Sequence, residues 1–134
     1  MFKYIFLLSF NIFAITLQEA YNNSDSFQEY DKYVILEPNS IYTGGLGIFE
    51  GNVYINCNGS TIDLQEGNGI WVYADETYPS NLDVEHCTII NSLYYGVSYG
   101  GTSHGSIKNC NFSFKVINCC SMILKIFGIK DFFF

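Results

Sequence analysis

The chain has 134 residues, with 13 acidic side chains against 6 basic ones and a formal net charge of −7; 49% is hydrophobic, 18% aromatic and 14% charged. Two Pro and 12 Gly exclude collagen-like and Pro-rich disordered classes, and the length fits a single domain. Every basic residue is Lys. Without Arg or net positive charge the surface lacks both the attraction and the bidentate donor that phosphate recognition uses, so nucleic acid is not an expected partner.

Residues 1–20 carry one early cation, Lys3, and then an apolar run from Tyr4 to Leu17 broken by Ser9, Asn11 and Thr16. The run is too short and too interrupted to span a bilayer. It reads as the apolar region of a signal peptide with cleavage after Ala20, which makes the mature chain secreted or displayed at the cell surface, with no membrane span. Residues 21–32 read as a cap or linker. Within them Ser26-Phe-Gln-Glu29 has the spacing of a short capped helix, placed to cover a strand edge.

From residue 33 to 114 short segments rich in Val, Ile, Tyr and Thr alternate with Gly and Asn turns, and no helical period appears. The chain matches itself. Val84-Glu-His-Cys87-Thr-Ile89 aligns with Ile107-Lys-Asn-Cys110-Asn-Phe112 at an offset of 23. Thr61-Ile62 with Gly69-Ile70-Trp-Val72 aligns with Thr88-Ile89 and Gly96-Val97-Ser-Tyr99 at an offset of 27. Leu46-Gly-Ile48 falls 24 before Ile70-Trp-Val72. Unequal offsets between constant short strands are the mark of a solenoid with turns of variable length.

Three strand classes follow. The first holds 46–48, 70–72 and 97–99; the second holds 53–55, 82–84 and 105–107; the third runs from Cys57, Cys87 or Cys110 to Ile62, Ile89 or Phe112. Strand alternation points Leu46, Ile48, Ile70, Val72, Val97 and Tyr99 inward in the first class. It does the same for Val53, Ile55, Leu82 and Val84 in the second. Asn56, His86 and Asn109 are expected at one turn, where stacked polar side chains satisfy the bending backbone.

These segments resemble a known superfamily. Val34-Ile-Leu-Glu-Pro-Asn-Ser-Ile-Tyr-Thr-Gly-Gly45 and Gly51-Asn-Val-Tyr-Ile-Asn-Cys-Asn-Gly-Ser-Thr-Ile-Asp63 look like the opening coils of the pectin-lyase-like, right-handed parallel β-helix proteins. The later His-Cys-Thr-Ile and Asn-Cys-x-Phe segments resemble their generic coil repeats. The resemblance implies an all-β, right-handed parallel β-helix of about four coils over residues 33–114, with a short N-terminal capping segment. It implies a scaffold, and many activities share that scaffold.

Five Cys, at 57, 87, 110, 119 and 120, do not close a disulfide framework and contain no C-x-x-C spacing. A metal site assembled from His86, Cys87, His104 and Cys110 would lack ligand spacing, so none is expected. In stacked coils Cys57, Cys87 and Cys110 occupy one interior position, read as small buried thiols, with a Cys87–Cys110 bond sterically open. Sequons stand at Asn22, Asn58 and Asn111. Residues 115–134 begin like another coil at Val116-Ile-Asn-Cys119, then lose Gly, turns and period. They end in Phe132-Phe-Phe134, a hydrophobic tail unlike the polar cap a solenoid needs, and read as a truncated coil or as a docking or self-association end.

The first strand class projects Phe49, Trp71, Tyr73 and Ser98 outward. This is an aromatic strip able to stack on sugar faces, and Phe49, Trp71, Tyr73 and Ser98 are the candidate carbohydrate-binding residues. Catalytic groups are not visible. Pectate lyases of the superfamily use an Arg base with carboxylate-bound calcium, and the chain has no Arg. The polygalacturonases use clustered Asp residues and a Gly-His-Gly segment, of which Ser103-His-Gly-Ser106 echoes only part. Asp83 and Glu85, two apart on one strand, face outward on a different sheet from the strip and show no cause for one to be the stronger acid. Asp63, Asp75, Glu76, Asp83 and Glu85 offer hard oxygen ligands for calcium, but no dense Asp-x-Asp loop exists. No cofactor is expected, and the acids read as a solvated face. The resulting expectation is an exported, non-catalytic β-helix module that binds polysaccharide or a cell-surface protein. Its alternative is the N-terminal part of a polysaccharide lyase or glycoside hydrolase whose catalytic coils lie beyond residue 134.

Overall fold

The computed structural model of the chain describes residues 14–114. The expectations for residues 1–13, and for the tail with Cys119 and Cys120, lie outside them. The chain is mostly β, a parallel β-solenoid of about four turns with little helix.

Strand β1 (Ile15–Thr16) leads into helix α1 (Leu17–Asn22). The first turn is β2 (Lys32–Ile35), β3 (Ile41–Thr43) and β4 (Leu46–Ile48). The second is β5 (Gly51–Asn56), β6 (Thr61–Asp63) and β7 (Ile70–Ala74), and the third is β8 (Ser80–Glu85), β9 (Thr88–Ser92) and β10 (Val97–Gly101). β11 (His104–Lys108) and β12 (Asn111–Phe114) continue into the fourth. Three parallel sheets result, with orders β1-β3-β6-β9-β12, β4-β7-β10 and β2-β5-β8-β11. The three strand classes read from the sequence are these three sheets, and β2 and β3 extend two of them downward.

Register explains why the offsets are unequal. Leu46 pairs with Ile70 and Ile70 with Val97, while Val53 pairs with Leu82 and Thr61 with Thr88. The strands keep step, and the turns absorb the differences. Every second residue points inward, so Ile48, Ile55, Ile62, Ile70, Leu82 and Ile89 are fully buried in a single core. Val97 and Tyr99, also expected inward, are only partly buried and pack against that core from the top turn. The Tyr99 hydroxyl donates to Leu82 O at 2.8 Å.

Where the third-class strands hand over to the first class, backbones approach closely. A Cβ on Gly45 would run into Asn68 O, and one on Gly69 into Tyr95 O. Only glycine fits that corner. At the corner before β3, β6, β9 and β12, Asn39, Asn58, His86 and Asn109 take left-handed φ of 58°, 49°, 55° and 52°. Asn tolerates this region better than most residues. The sequence placed Asn56 at this corner, but it is the last residue of β5, in register with Glu85. Asn58 is the corner residue in its place, because the turn before β6 is longer than the one before β9. His86 Nε2 and Asn109 Nδ2 stack 3.3 Å apart, as the alignment expected.

The N-terminal cap is displaced from its expected position. No helix forms at Ser26–Glu29. Phe27 and Tyr30 instead exchange backbone hydrogen bonds of 3.0 and 3.1 Å around a tight turn with Gln28 at φ 53°. The capping helix is α1. Thr16 Oγ1 accepts from Glu19 N at 3.1 Å and Glu19 Oε2 accepts from Thr16 N at 3.0 Å, a complete capping box. Leu17, Ala20 and Tyr21 have the i, i+3, i+4 spacing of one helix face and pack on the bottom of the core. Ser26 has no such apolar face behind it. Lys32 Nζ donates to Ser24 O at 2.7 Å and to Asn22 O at 3.4 Å, tying the end of α1 to β2. A cut after Ala20 would sever α1 and remove the pairing of Ile15 and Thr16 with Tyr42 and Thr43.

The cysteine expectation also changes. Cys57 and Cys87 form a disulfide across adjacent turns, Cα–Cα 4.9 Å and sequence separation 30, and Cys110 is free. Stacked turns put any neighbouring pair in this column within bonding range. The bond joins its two fully buried members, not Cys87 and Cys110.

Two outcomes follow for stability. Leu17→Ala should lower the unfolding free energy by about 2–5 kcal/mol, measured by urea denaturation. An effect near zero would mean that α1 does not close the core. Replacing both Cys57 and Cys87 by Ser should cost about 3–4 kcal/mol, the closure entropy of the cross-linked loop, read as a fall in the denaturation midpoint.

Candidate functional site

The sheet β4-β7-β10 presents its outward positions in rows set by register. Gly47, Trp71 and Ser98 share one row, and Tyr73 and Gly100 the next. Phe49 follows β4 at the start of the turn to β5. The structure brings Phe49 and Trp71 together, ring centroids 4.7 Å apart and edge to face at 83°. Phe49, Trp71 and Tyr73 remain 56%, 38% and 46% exposed, so no neighbouring loop covers them. Ser98 is half-buried beside Trp71.

Glycines let the Trp71 and Tyr73 rings lie close to the sheet. A Cβ on Gly47 would lie 3.1 Å from the indole of Trp71, and one on Gly100 would lie 3.1 Å from the ring of Tyr73. The rings therefore rest along the sheet over the bare backbone of neighbouring strands. Trp71 also borders an open groove of about 480 Å³, lined by Gly45, Gly47, Gln65, Gly67, Asn68 and Gly69. Its floor offers backbone polar groups and side-chain amides beside an aromatic wall.

Charge on this sheet has one sign. Among the described residues the Lys side chains are Lys32 and Lys108, and both belong to the sheet β2-β5-β8-β11. Exposed Glu50 follows Phe49, and exposed Asp75 and Glu76 follow β7. Asp75 Oδ1 accepts from Thr77 N at 2.9 Å and Tyr78 N at 2.8 Å, which shapes the turn after Tyr73.

A second cluster was not singled out from sequence. On the outer face of β2-β5-β8-β11, Tyr33 and Tyr54 stack at 4.9 Å and 13°, with Tyr30 5.2 Å from Tyr54 and Phe27 4.9 Å from Tyr33. Asp83 and Glu85 face outward together, as expected, but this sheet carries aromatics of its own. Tyr30 Oη donates to Asp83 Oδ2 at 2.8 Å, Ser106 Oγ to Asp83 Oδ1 at 2.6 Å, and Tyr54 Oη to Glu85 Oε2 at 3.0 Å. Lys108 Nζ lies 3.5 Å from Glu85 Oε1. Matching Tyr33-Val-Ile35 to Tyr54-Ile-Asn56 at an offset of 21 would have revealed the stack.

The remaining acidic side chains are spread around the solenoid. Asp63 Oδ1 accepts from Gln65 N and Asn91 Nδ2, both at 2.9 Å. Among the described residues no three His, Cys, Asp or Glu side chains converge on one point. His104, expected in a turn, is the exposed first residue of β11, in register with Asn81. No described helix is long and apolar enough to cross a membrane.

No family model, curated protein or solved structure matches the chain.

The tyrosine cluster has an alkaline signature. Burial, then the hydrogen bond to Glu85, pushes the Tyr54 phenol up to about 12. Burial and Asp83 push Tyr30 higher still. A phenol harder to ionise in the fold than in the unfolded chain contributes stability that is complete below about pH 10 and is lost as pH rises toward its folded value. Stability should therefore fall between about pH 10 and 12, and Tyr54→Phe should flatten that fall. An unchanged slope in Tyr54→Phe would show that this phenol is not held by Glu85.

Proposed function

We propose that this chain is a non-catalytic, exported carbohydrate-binding module built on a right-handed parallel β-helix of the pectin-lyase-like kind. The observation that carries the proposal is the exposed strip Phe49–Trp71–Tyr73, in which Trp71 and Tyr73 are seated over Gly47 and beside Gly100 on one sheet. Exposed ring surface flanked by amide and backbone hydrogen-bonding groups suits the alternating apolar and hydroxyl faces of sugar rings. The right hand is supported by general stereochemistry, since connections between parallel strands in one sheet are right-handed in about 98% of cases. Asp83 and Glu85, the one carboxylate pair that a hydrolase reading would use, already accept hydrogen bonds from Tyr30, Ser106 and Tyr54.

Charge narrows the ligand. Among the described residues this sheet carries no Lys, and with Glu50, Asp75 and Glu76 at its borders a uronate chain would meet repulsion with no compensating cation. The ligand class is a neutral or amine-bearing polysaccharide. Attachment of the module to a polymer at the cell surface or in a matrix follows from the same reading.

Trp71 is the single Trp of the chain, so its fluorescence reports on the strip directly. Titration with a panel of neutral, amino and uronic polysaccharides should shift that emission for a neutral or amino member without release of product. Trp71→Ala should weaken binding by about 2 kcal/mol, roughly thirty-fold in Kd, with the denaturation midpoint unchanged. A flat response across the panel would sink the carbohydrate reading. Release of reducing or unsaturated ends would replace it with the enzyme alternative.

A further inference from the structure

Three sulfurs stand in one column. Cys57 precedes β6, Cys87 precedes β9 and Cys110 precedes β12, and these strands are consecutive neighbours in their sheet. Cys87 and Cys110 have the same local geometry, each Sγ lying 3.2 Å from the carbonyl oxygen two residues earlier, of Glu85 and Lys108 respectively. Asn111 N donates to Cys87 O at 2.8 Å, which seats the Cys110 turn directly on the Cys87 turn. Cys110 Sγ reaches down to within 3.8 Å of Val84 O in the turn below. The free thiol of Cys110 therefore sits above the Cys57–Cys87 disulfide, one turn spacing away.

We propose that Cys57, Cys87 and Cys110 form an internal thiol–disulfide exchange site with two interchangeable registers, Cys57–Cys87 and Cys87–Cys110. In the exchange Cys110 gives its proton to solvent, and its thiolate attacks Cys87 Sγ. The Cys57–Cys87 bond breaks as the Cys87–Cys110 bond forms, and the electron pair leaves on Cys57 Sγ, which takes up a proton. No oxidant or reductant is consumed. The column suits this step because the attacking, central and leaving sulfurs follow one another along the stacking direction, with Cys87 between the other two.

Neither chain entropy nor covalent inventory favours one register strongly. The two bonds close loops of 30 and 23 residues, whose closure probabilities differ by a factor of only about 1.5. The registers differ in what they secure and what they expose. Cys57–Cys87 ties the second turn to the third and leaves a half-buried thiol at Cys110. Cys87–Cys110 ties the third turn to the fourth and leaves the free thiol at fully buried Cys57. Exchange therefore moves the covalent tie up the solenoid by one turn and withdraws the free thiol from solvent.

The rate is set at Cys110. Burial pushes its thiol up, the backbone hydrogen bonds with Cys87 and Lys108 pull it down, and the Glu85 carboxylate on β8 pushes it up again. Tyr99 on β10 also faces it, Lys108 at the end of β11 pairs with Glu85, and His86 lies in the turn below. The attacking thiolate is scarce at neutral pH, and exchange should accelerate as pH rises.

The test uses the full chain with Cys119→Ser and Cys120→Ser, so that three sulfurs remain. Protein held at pH 8.5 in a glutathione redox buffer is sampled over time, quenched in acid, alkylated in denaturant and mapped without reduction. The expected result is a Cys87–Cys110 peptide that grows with time while label moves from Cys110 to Cys57 in equal amount. A map that shows only Cys57–Cys87 after the redox buffer has equilibrated overturns the proposal. Cys57→Ser in the same background gives an independent reading. It should oxidise to Cys87–Cys110, with a circular dichroism spectrum that matches the parent. Two free thiols in a folded Cys57→Ser protein would show that the column cannot bring Cys110 to Cys87, and would also overturn it.

Discussion

Coil-on-coil register is the constraint from which the rest of this structure follows. Parallel strands about 4.8 Å apart put each inward side chain directly on its equivalent in the turn below. Leu46, Ile70 and Val97 are one such stack and Val53 and Leu82 another. No turn can bury its apolar face alone, so stability accumulates between neighbours. The same register fixes features that look unrelated. It demands glycine where backbones touch at 45 and 69, it brings Cys57 and Cys87 within bonding distance, and it seats Trp71 over Gly47 and Tyr73 beside Gly100.

The two ends of the described solenoid are finished differently. Below, α1 inserts Leu17 into the core, Thr16 and Glu19 cap its start, and Lys32 donates to the Asn22 carbonyl at its end. Above, Val97, Tyr99, Cys110 and Phe112 are only partly buried, and among the described residues no strand lies over β10, β11 or β12. Burial therefore declines up the solenoid. The free cysteine belongs to the loose end and the disulfide to the tight part of the column.

The outward faces divide the chemistry. One sheet carries exposed rings and no cation among the described residues, with a groove beside Trp71. The other carries the tyrosine cluster, in which the Tyr30 and Tyr54 hydroxyls donate to Asp83 and Glu85. Both faces are rich in aromatics, but the carboxylates that accept from tyrosine hydroxyls lie on the second. Net negative charge is common to both.

Much of this was legible in the sequence because a solenoid repeats locally. The unequal offsets gave three strand classes, strand alternation gave the inward residues, and the outward positions of the first class gave Phe49, Trp71, Tyr73 and Ser98. Three things were not read from it. The capping helix was placed too far along, since an apolar run at Leu17 reads equally as a leader segment or as one face of a helix, and only a core to pack against distinguishes them. The disulfide was missed, because three equivalent cysteines in one column are interchangeable until burial separates two from the third. The Tyr33–Tyr54 stack was overlooked, since it shows only when the first turn is aligned on the second at an offset of 21. Residue type and spacing determined the strands and their faces; which stacked neighbours bond, and which residues close the ends, was decided by distance and burial that exist only once the turns are stacked.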